Sequence, residues 1–414
     1  MKQLFLLVLM FVPKLFFAQE TEVNPPYNIK TITFIQNGQN VIPMFQLGDN
    51  FQLQFDDLYG NEANYYYTIT HCDYDWKVSQ LSKNEYLAGF DNQRIIEYHN
   101  SLNTLQVYSH YRLSFPNQFT QFRVSGNYMI NILNEDREVV FSRKIIIYEN
   151  LVTVPMQVKR ARDVANVNYK HNLDFTIKSR DFLFQSPLQN VKVLLLQNGN
   201  FKTGITNVKP MYTLGNDLIY KYDTETQFWA GNEYLYFENK NIRVANNNIS
   251  YVDSSGGLYS CYLYRNNARA NNPYTYWPDI NGNFMINNLS GLDNEIEADY
   301  AWVYISLSAP SFFEDKNIYV SGMFNNNVLA DEYKLEFDSK KGTFEKAILI
   351  KQGFTNYKFT IADNKGIIDE EKAIDGNFYQ TENNYDALIY YRENGQRYDR
   401  VIGRGIANSV DIIN

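Results

Sequence analysis

At 414 residues and a formal net charge of −8, the chain has room for about two to four domains, and its acidity argues against a phosphate-backbone-binding surface. Its 34 Tyr and 28 Phe, set against 11 Pro and 21 Gly, favour pleated strands. Two cysteines, Cys72 and Cys261, share no C-x-x-C spacing, and four scattered histidines show no metal-ligand spacing, which argues against a disulfide framework or zinc site and leaves one long-range bridge as the alternative.

The first 18 residues read as an export leader: Lys2, the apolar run Leu4 to Val12, Pro13, and a cut after Ala18. That run is too short to span a bilayer, and no later run is long enough for a membrane helix. Removing Lys2 and Lys14 with the leader takes the net charge from −8 to −10. An outer-membrane barrel would share the aromatic alternation, but the charged strand faces and the ending Asp411-Ile412-Ile413-Asn414 argue against it.

Residues 19–150 form the first expected domain. Thr31 to Ile35 leads into the turn Gln36-Asn37-Gly38, Phe51 to Phe55 alternates without a break, and Tyr128 to Leu133 faces Val139 to Ile147 across Asn134 to Arg137. The second expected domain, 151–298, repeats the pattern at Leu173 to Ile177, at Val191 to Leu196 before Asn198-Gly199, and at Leu258 to Tyr264. The third, 299–414, runs through Trp302 to Leu307 and Ile318 to Asn325, then the alternation Tyr333/Leu335/Phe337. It continues through the turn Asp338 to Gly342, the alternation Tyr357/Phe359/Ile361 and the hairpin Tyr390 to Tyr398. No window of helical period stands out, so the expected fold class is all-β, with tandem immunoglobulin-like β-sandwiches.

The chemistry-bearing candidates are few. His71-Cys72-Asp73-Tyr74-Asp75-Trp76 is the densest polar and aromatic cluster, but in a strand His71 and Cys72 point to opposite faces and cannot activate one another. The expectation is a structural strand end in which Trp76 packs and Asp73 caps a turn. Asp279 to Asn283 spaces oxygen ligands like a calcium loop but lacks the closing acid, so it reads as an Asx-rich turn. Asp56-Asp57 and Glu370-Glu371 read as solvated turn or loop acids, and no nucleophile-elbow, zincin or phosphate-loop motif is present. The irregular segment 266–283 holds Tyr274, Tyr276 and Trp277, candidates for partner contact or for packing between the second and third domains. Nothing points to an enzyme, and no cofactor or metal is expected.

In the third domain, Val320-Ser321-Gly322-Met323-Phe324-Asn325 followed by a hairpin and Lys351 to Phe359 resembles the early-set immunoglobulin-like modules of starch- and glycogen-acting enzymes. Asn327 stands where those modules carry a sugar-stacking Trp. Over the whole mature chain, Leu53 to Leu58, Tyr65 to Trp76, Glu85 to Phe90, Tyr108 to Asn117, Ser125 to Tyr128 and Gly231 to Glu238 resemble the plug proteins of the bacterial type IX secretion system. That resemblance implies a periplasmic protein that binds the inner side of the outer-membrane translocon barrel and occludes its pore. The alternative expectation is a periplasmic or surface glycan-binding protein.

Overall fold

The computed structural model describes residues 19–308 and 316–412; the expected leader lies outside them. The described residues build three sandwiches from antiparallel-dominated sheets, as the alternation in the sequence requires.

In the first sandwich, a sheet of Ile29–Gln36, Gln39–Asn40, Phe51–Asp57, Glu97–Asn100 and Ser109–Phe115 faces a sheet of Met44–Gln46, Tyr66–Cys72, Gln93–Arg94, Gly126–Leu133 and Val139–Tyr148. Phe51, Leu53 and Phe55 point inward into one core, where Phe51 stacks on Phe45, Phe55 stacks on Tyr111, and Phe55 and Phe141 meet edge to face. The turn at Asn37-Gly38 has positive φ at both residues (52° and 77°), the type I′ geometry that matches the twist of a two-residue hairpin.

The order of the other two sandwiches corrects the expected boundaries. Val191–Gln197 pairs along its whole length with Asn384–Tyr391, which pairs in turn with Arg400–Asn408. These three strands close over the sheet of Met156–Arg160, Lys170–Ile177, Asp217–Tyr220 and Gln227–Trp229, sharing the core of Leu173, Val193, Tyr385 and Ile389. The C-terminal hairpin therefore completes the second sandwich, and Asn198-Gly199 turns the chain without making a long hairpin.

Strands from Leu235–Glu238 to Gly353–Ala362 form the third sandwich around Val303, Val320, Ile350 and Phe359, nested inside the second. The expected boundary at 298/299 falls between Phe284–Ile286 and Tyr300–Ser308, two of its strands. Local periodicity marks strands but carries no information on a partner almost two hundred residues away.

Two smaller expectations also shift. Asp338 to Gly342 does turn a hairpin, pairing Asp338 with Thr343. Of the alternation before it, however, Asp331–Tyr333 is a 3₁₀ turn and Phe337 is exposed, leaning on Phe344 with ring centroids 4.9 Å apart.

Candidate functional site

Among the described residues no cluster of His, Cys, Asp and Glu could hold a metal, and no helix is long and apolar enough to cross a membrane. The concentrated polar chemistry lies where the sandwiches meet.

Between the first and third sandwiches the inward phase of Phe51, Leu53 and Phe55 turns Gln54 and Asp56 to the opposite face. There the third sandwich covers them, so Asp56 is fully buried, contrary to its reading as a solvated turn acid. Its carboxylate accepts from Lys351 Nζ at 2.7 Å, from the Tyr300 hydroxyl at 2.6 Å, and meets His110 Nδ1 at 2.7 Å. Burial alone would raise the Asp56 carboxyl, but Lys351 and His110 outweigh it and hold it below the usual range. Lys351 also donates to the Glu295 carbonyl at 2.6 Å and lies 4.1 Å from the Tyr108 ring centre. Glu295 pairs with Arg112 and stands 3.5 Å from His110 Nε2; the nearness of His110 and the pairing with Arg112 take its pKa down to about 2. A His–Asp pair of this kind can serve a nucleophile, but here the other neighbours are an ammonium, a guanidinium and a phenol, so the group binds two domains together.

Between the first and second sandwiches, the cluster His71 to Trp76 ends the strand Tyr66–Cys72. As its alternation requires, His71 and Cys72 lie on opposite sides: His71 Nδ1 meets Ser79 Oγ at 2.7 Å, while Cys72 packs with Met44, Trp76 and Ile146. Both cysteines are buried and free. Trp76 is buried, with Lys144 Nζ 4.3 Å from its ring centre. The Asp73 carboxylate does not cap its own turn. It accepts from the Asp399 backbone N–H at 3.0 Å and from Arg392 at 2.8 Å, and Asp399 in return accepts from the Tyr74 N–H at 3.0 Å. Tyr74 Oη donates to the Val193 carbonyl at 2.7 Å, and buried Tyr390 Oη donates to Asn127 at 2.7 Å.

The second and third sandwiches are joined by two chain crossings, near residues 231 and 378. Tyr274 Oη bonds the buried carboxylate of Glu233 and donates to the Gln380 carbonyl at 3.1 Å, and Trp277 Nε1 donates to the Tyr234 carbonyl at 2.9 Å. Two of the three candidate contact aromatics thus pack at the crossing, and only Tyr276 is exposed. Burial pushes the Glu233 carboxyl up to about 7 despite those bonds. Asp279 accepts from Asn281 N and Tyr234 N at 2.6 and 2.5 Å, an Asx turn as expected. Glu370 lines the crevice beside this crossing instead of lying in solvent, and burial raises its carboxyl.

Sequence reasoning missed Asp56, His110, Lys351 and Glu233 as a group. The available signal was a charged residue at the outward phase of a strand whose inward phase is already fully apolar, as at Asp56.

Fold and junctions define a class: a three-sandwich β protein whose polar residues fix domains against one another. Residues 29–149 match the family model of the type 9 secretion system plug protein 1st domain. The crystal structure of a hypothetical protein from Parabacteroides merdae superposes with a TM-score of 0.90 at 31% sequence identity, covering 94% of this chain and 100% of that one. A search of the curated proteins found no match. The chain belongs to one family with the Parabacteroides merdae protein, and the plug first-domain match falls on its first sandwich.

Proposed function

We propose that this chain is a non-enzymatic plug that seats on the periplasmic side of the outer-membrane translocon barrel of the type IX secretion system and occludes its pore when no substrate is passing. The observation that carries this reading is the match of the first sandwich to the plug first domain. The junctions support it. An occluding body must not deform under a passing load, and here the first sandwich is fixed to the third by the buried Asp56–Lys351 pair, to the second by the half-buried Asp73–Arg392 pair, and to both by two further apolar clusters. A surface already rigid before contact loses little conformational entropy on docking.

The glycan-binding alternative would need ring faces turned to solvent. Tyr251, Tyr262 and Tyr304 stack on one another across three strands, with centroids 4.2 and 4.3 Å apart and planes within 11°, which covers both faces of the middle ring while Tyr251 and Tyr304 stay exposed at the ends of the stack. Asn327 lines the crevices between sandwiches.

The test is affinity purification of the tagged protein from detergent-solubilised outer membranes of wild-type and export-deficient cells. A very large barrel protein should co-purify; its absence under every condition overturns the reading. Deletion of the gene should make the outer membrane leakier to large antibiotics while leaving secretion broadly intact.

A further inference from the structure

A cavity of about 60 Å³ lies where all three sandwiches converge. The first contributes Ile32, Ile42 and Arg143, the second Phe201, and the third Phe284 and Phe324. The convergence is close: a Cβ on Gly199 would stand 2.4 Å from Ile42, and Asn40 and Asn283 exchange hydrogen bonds across it at 2.9 Å each way.

Arg143 is the unusual member. The residue is 7% exposed, yet the one hydrogen bond of its side chain within the described residues runs from Nη1 to the neighbouring Ser142 carbonyl at 2.8 Å. Among the described residues no carboxylate lies within 4 Å of it, whereas Lys351, Arg269 and Arg404, with side chains 2%, 12% and 20% exposed, each hold one. Its other nitrogens are not among the buried atoms left without a partner, so they reach solvent at this crevice, where an anion can take the place of water on the guanidinium fork.

The surrounding charges favour an anion. Lys144 lies in the same wall, and Lys202 stands near enough to Lys144 to disfavour its charge. The one acid on the lining, Glu22, has one oxygen occupied by the Lys144 backbone N–H and the other by Asn326 Nδ2, both at 2.8 Å. It therefore offsets one charge without capping the guanidinium.

We propose that this cavity is a carboxylate-binding site, in which Arg143 receives either a small aliphatic acid or the C-terminal carboxylate of a polypeptide. A guanidinium fork matches a carboxylate in two parallel hydrogen bonds. The aromatic and aliphatic walls accept a short hydrocarbon stem, which inorganic phosphate lacks. The volume admits a carboxylate head and a stem of a few carbons; a longer ligand runs out past half-exposed Asn40 and Phe201. A ligand so seated touches all three sandwiches at once. The proposal stands whether or not the chain closes a secretion pore.

The test follows the Arg143 side-chain Nε–H signal of the full mature chain by ¹⁵N NMR during titration with propionate, propionamide and inorganic phosphate. Propionate should shift that signal with saturation in the millimolar range or tighter, and propionamide should leave it in place. Arg143→Gln should abolish saturable propionate binding; should that variant fail to fold, the wild-type titration against the amide still decides. A short peptide with a free C-terminus binding about tenfold tighter than propionate, and not when amidated, assigns the site to chain ends. Comparable binding of the two assigns it to free acids. An unmoved Arg143 signal, or phosphate and propionamide binding as well as propionate, overturns the proposal.

Discussion

Asp56 and Lys351, on different sandwiches, meet at 2.7 Å with side-chain exposures of 0% and 2%. Such a pair adds little over an apolar contact of equal volume, but each partner is costly without the other. Lys351→Met should lower stability by about 3–5 kcal/mol, read as the urea unfolding midpoint by tryptophan fluorescence. Asp56→Asn with Lys351→Met should recover part of that loss. A single Lys351→Met variant as stable as wild type would show that the junction does not hold the sandwiches together.

Acid sensitivity should centre on two neutral histidines. His171 Nε2 lies 2.7 Å from the Tyr379 carbonyl and Nδ1 lies 2.7 Å from Tyr385 Oη, so the neutral ring donates once and accepts once. His71 repeats the arrangement with Ser125 and Ser79. Burial holds both pKa values down at about 4. The unfolded chain binds these protons first, so stability is full above about pH 6.5 and falls as the pH drops toward 4, by roughly 3 kcal/mol for each ring. His110, which burial would lower but which its bond to Asp56 and the nearby Glu295 carboxylate raise, contributes in the opposite sense, losing its share as pH rises through its folded pKa. His171→Gln should flatten the decline measured by urea midpoints across this range.

Glu233 should show the reverse slope. Its folded pKa of about 7 lies above the ordinary carboxyl value, so the native state binds the proton more tightly and stability is lost as pH rises from about 4.5 through 7. Glu233→Gln keeps the shape without a charge to bury. It should gain stability relative to wild type between acidic and mildly alkaline pH, on the order of 2 kcal/mol. A pH-independent difference between the two proteins would refute this.

Gly126 should not tolerate a side chain. Its φ is +154°, and an added Cβ would stand 2.1 Å from His71 Nε2. Gly126→Ala should displace the His71 ring, break its contact with the Ser125 carbonyl, and cost about 3 kcal/mol or more through overpacking and backbone strain. Thermal unfolding would measure it.

Tyr390→Phe removes one buried hydroxyl and leaves the Asn127 oxygen without its donor. The expected loss is about 1–2 kcal/mol. It should appear as faster proteolysis at the junction between the first and second sandwiches, with the separate cores intact.

Much of this was legible in the sequence. Period-two alternation at Phe51 to Phe55 and Tyr357 to Ile361, the aromatic abundance and the Asn-Gly turns fix an all-β chain, because side-chain direction in a strand depends only on the parity of neighbours. The opposite facing of His71 and Cys72 follows from the same parity, and with it the poor case for a nucleophile there. What the tertiary structure alone decided is which strands and which charges meet. Pairing Val191–Gln197 with Asn384–Tyr391 nests one sandwich inside another, and stacking the first against the third buries Asp56 on Lys351. Both depend on contacts between segments far apart in the chain, and hydrophobic periodicity carries no record of the partner a segment finds.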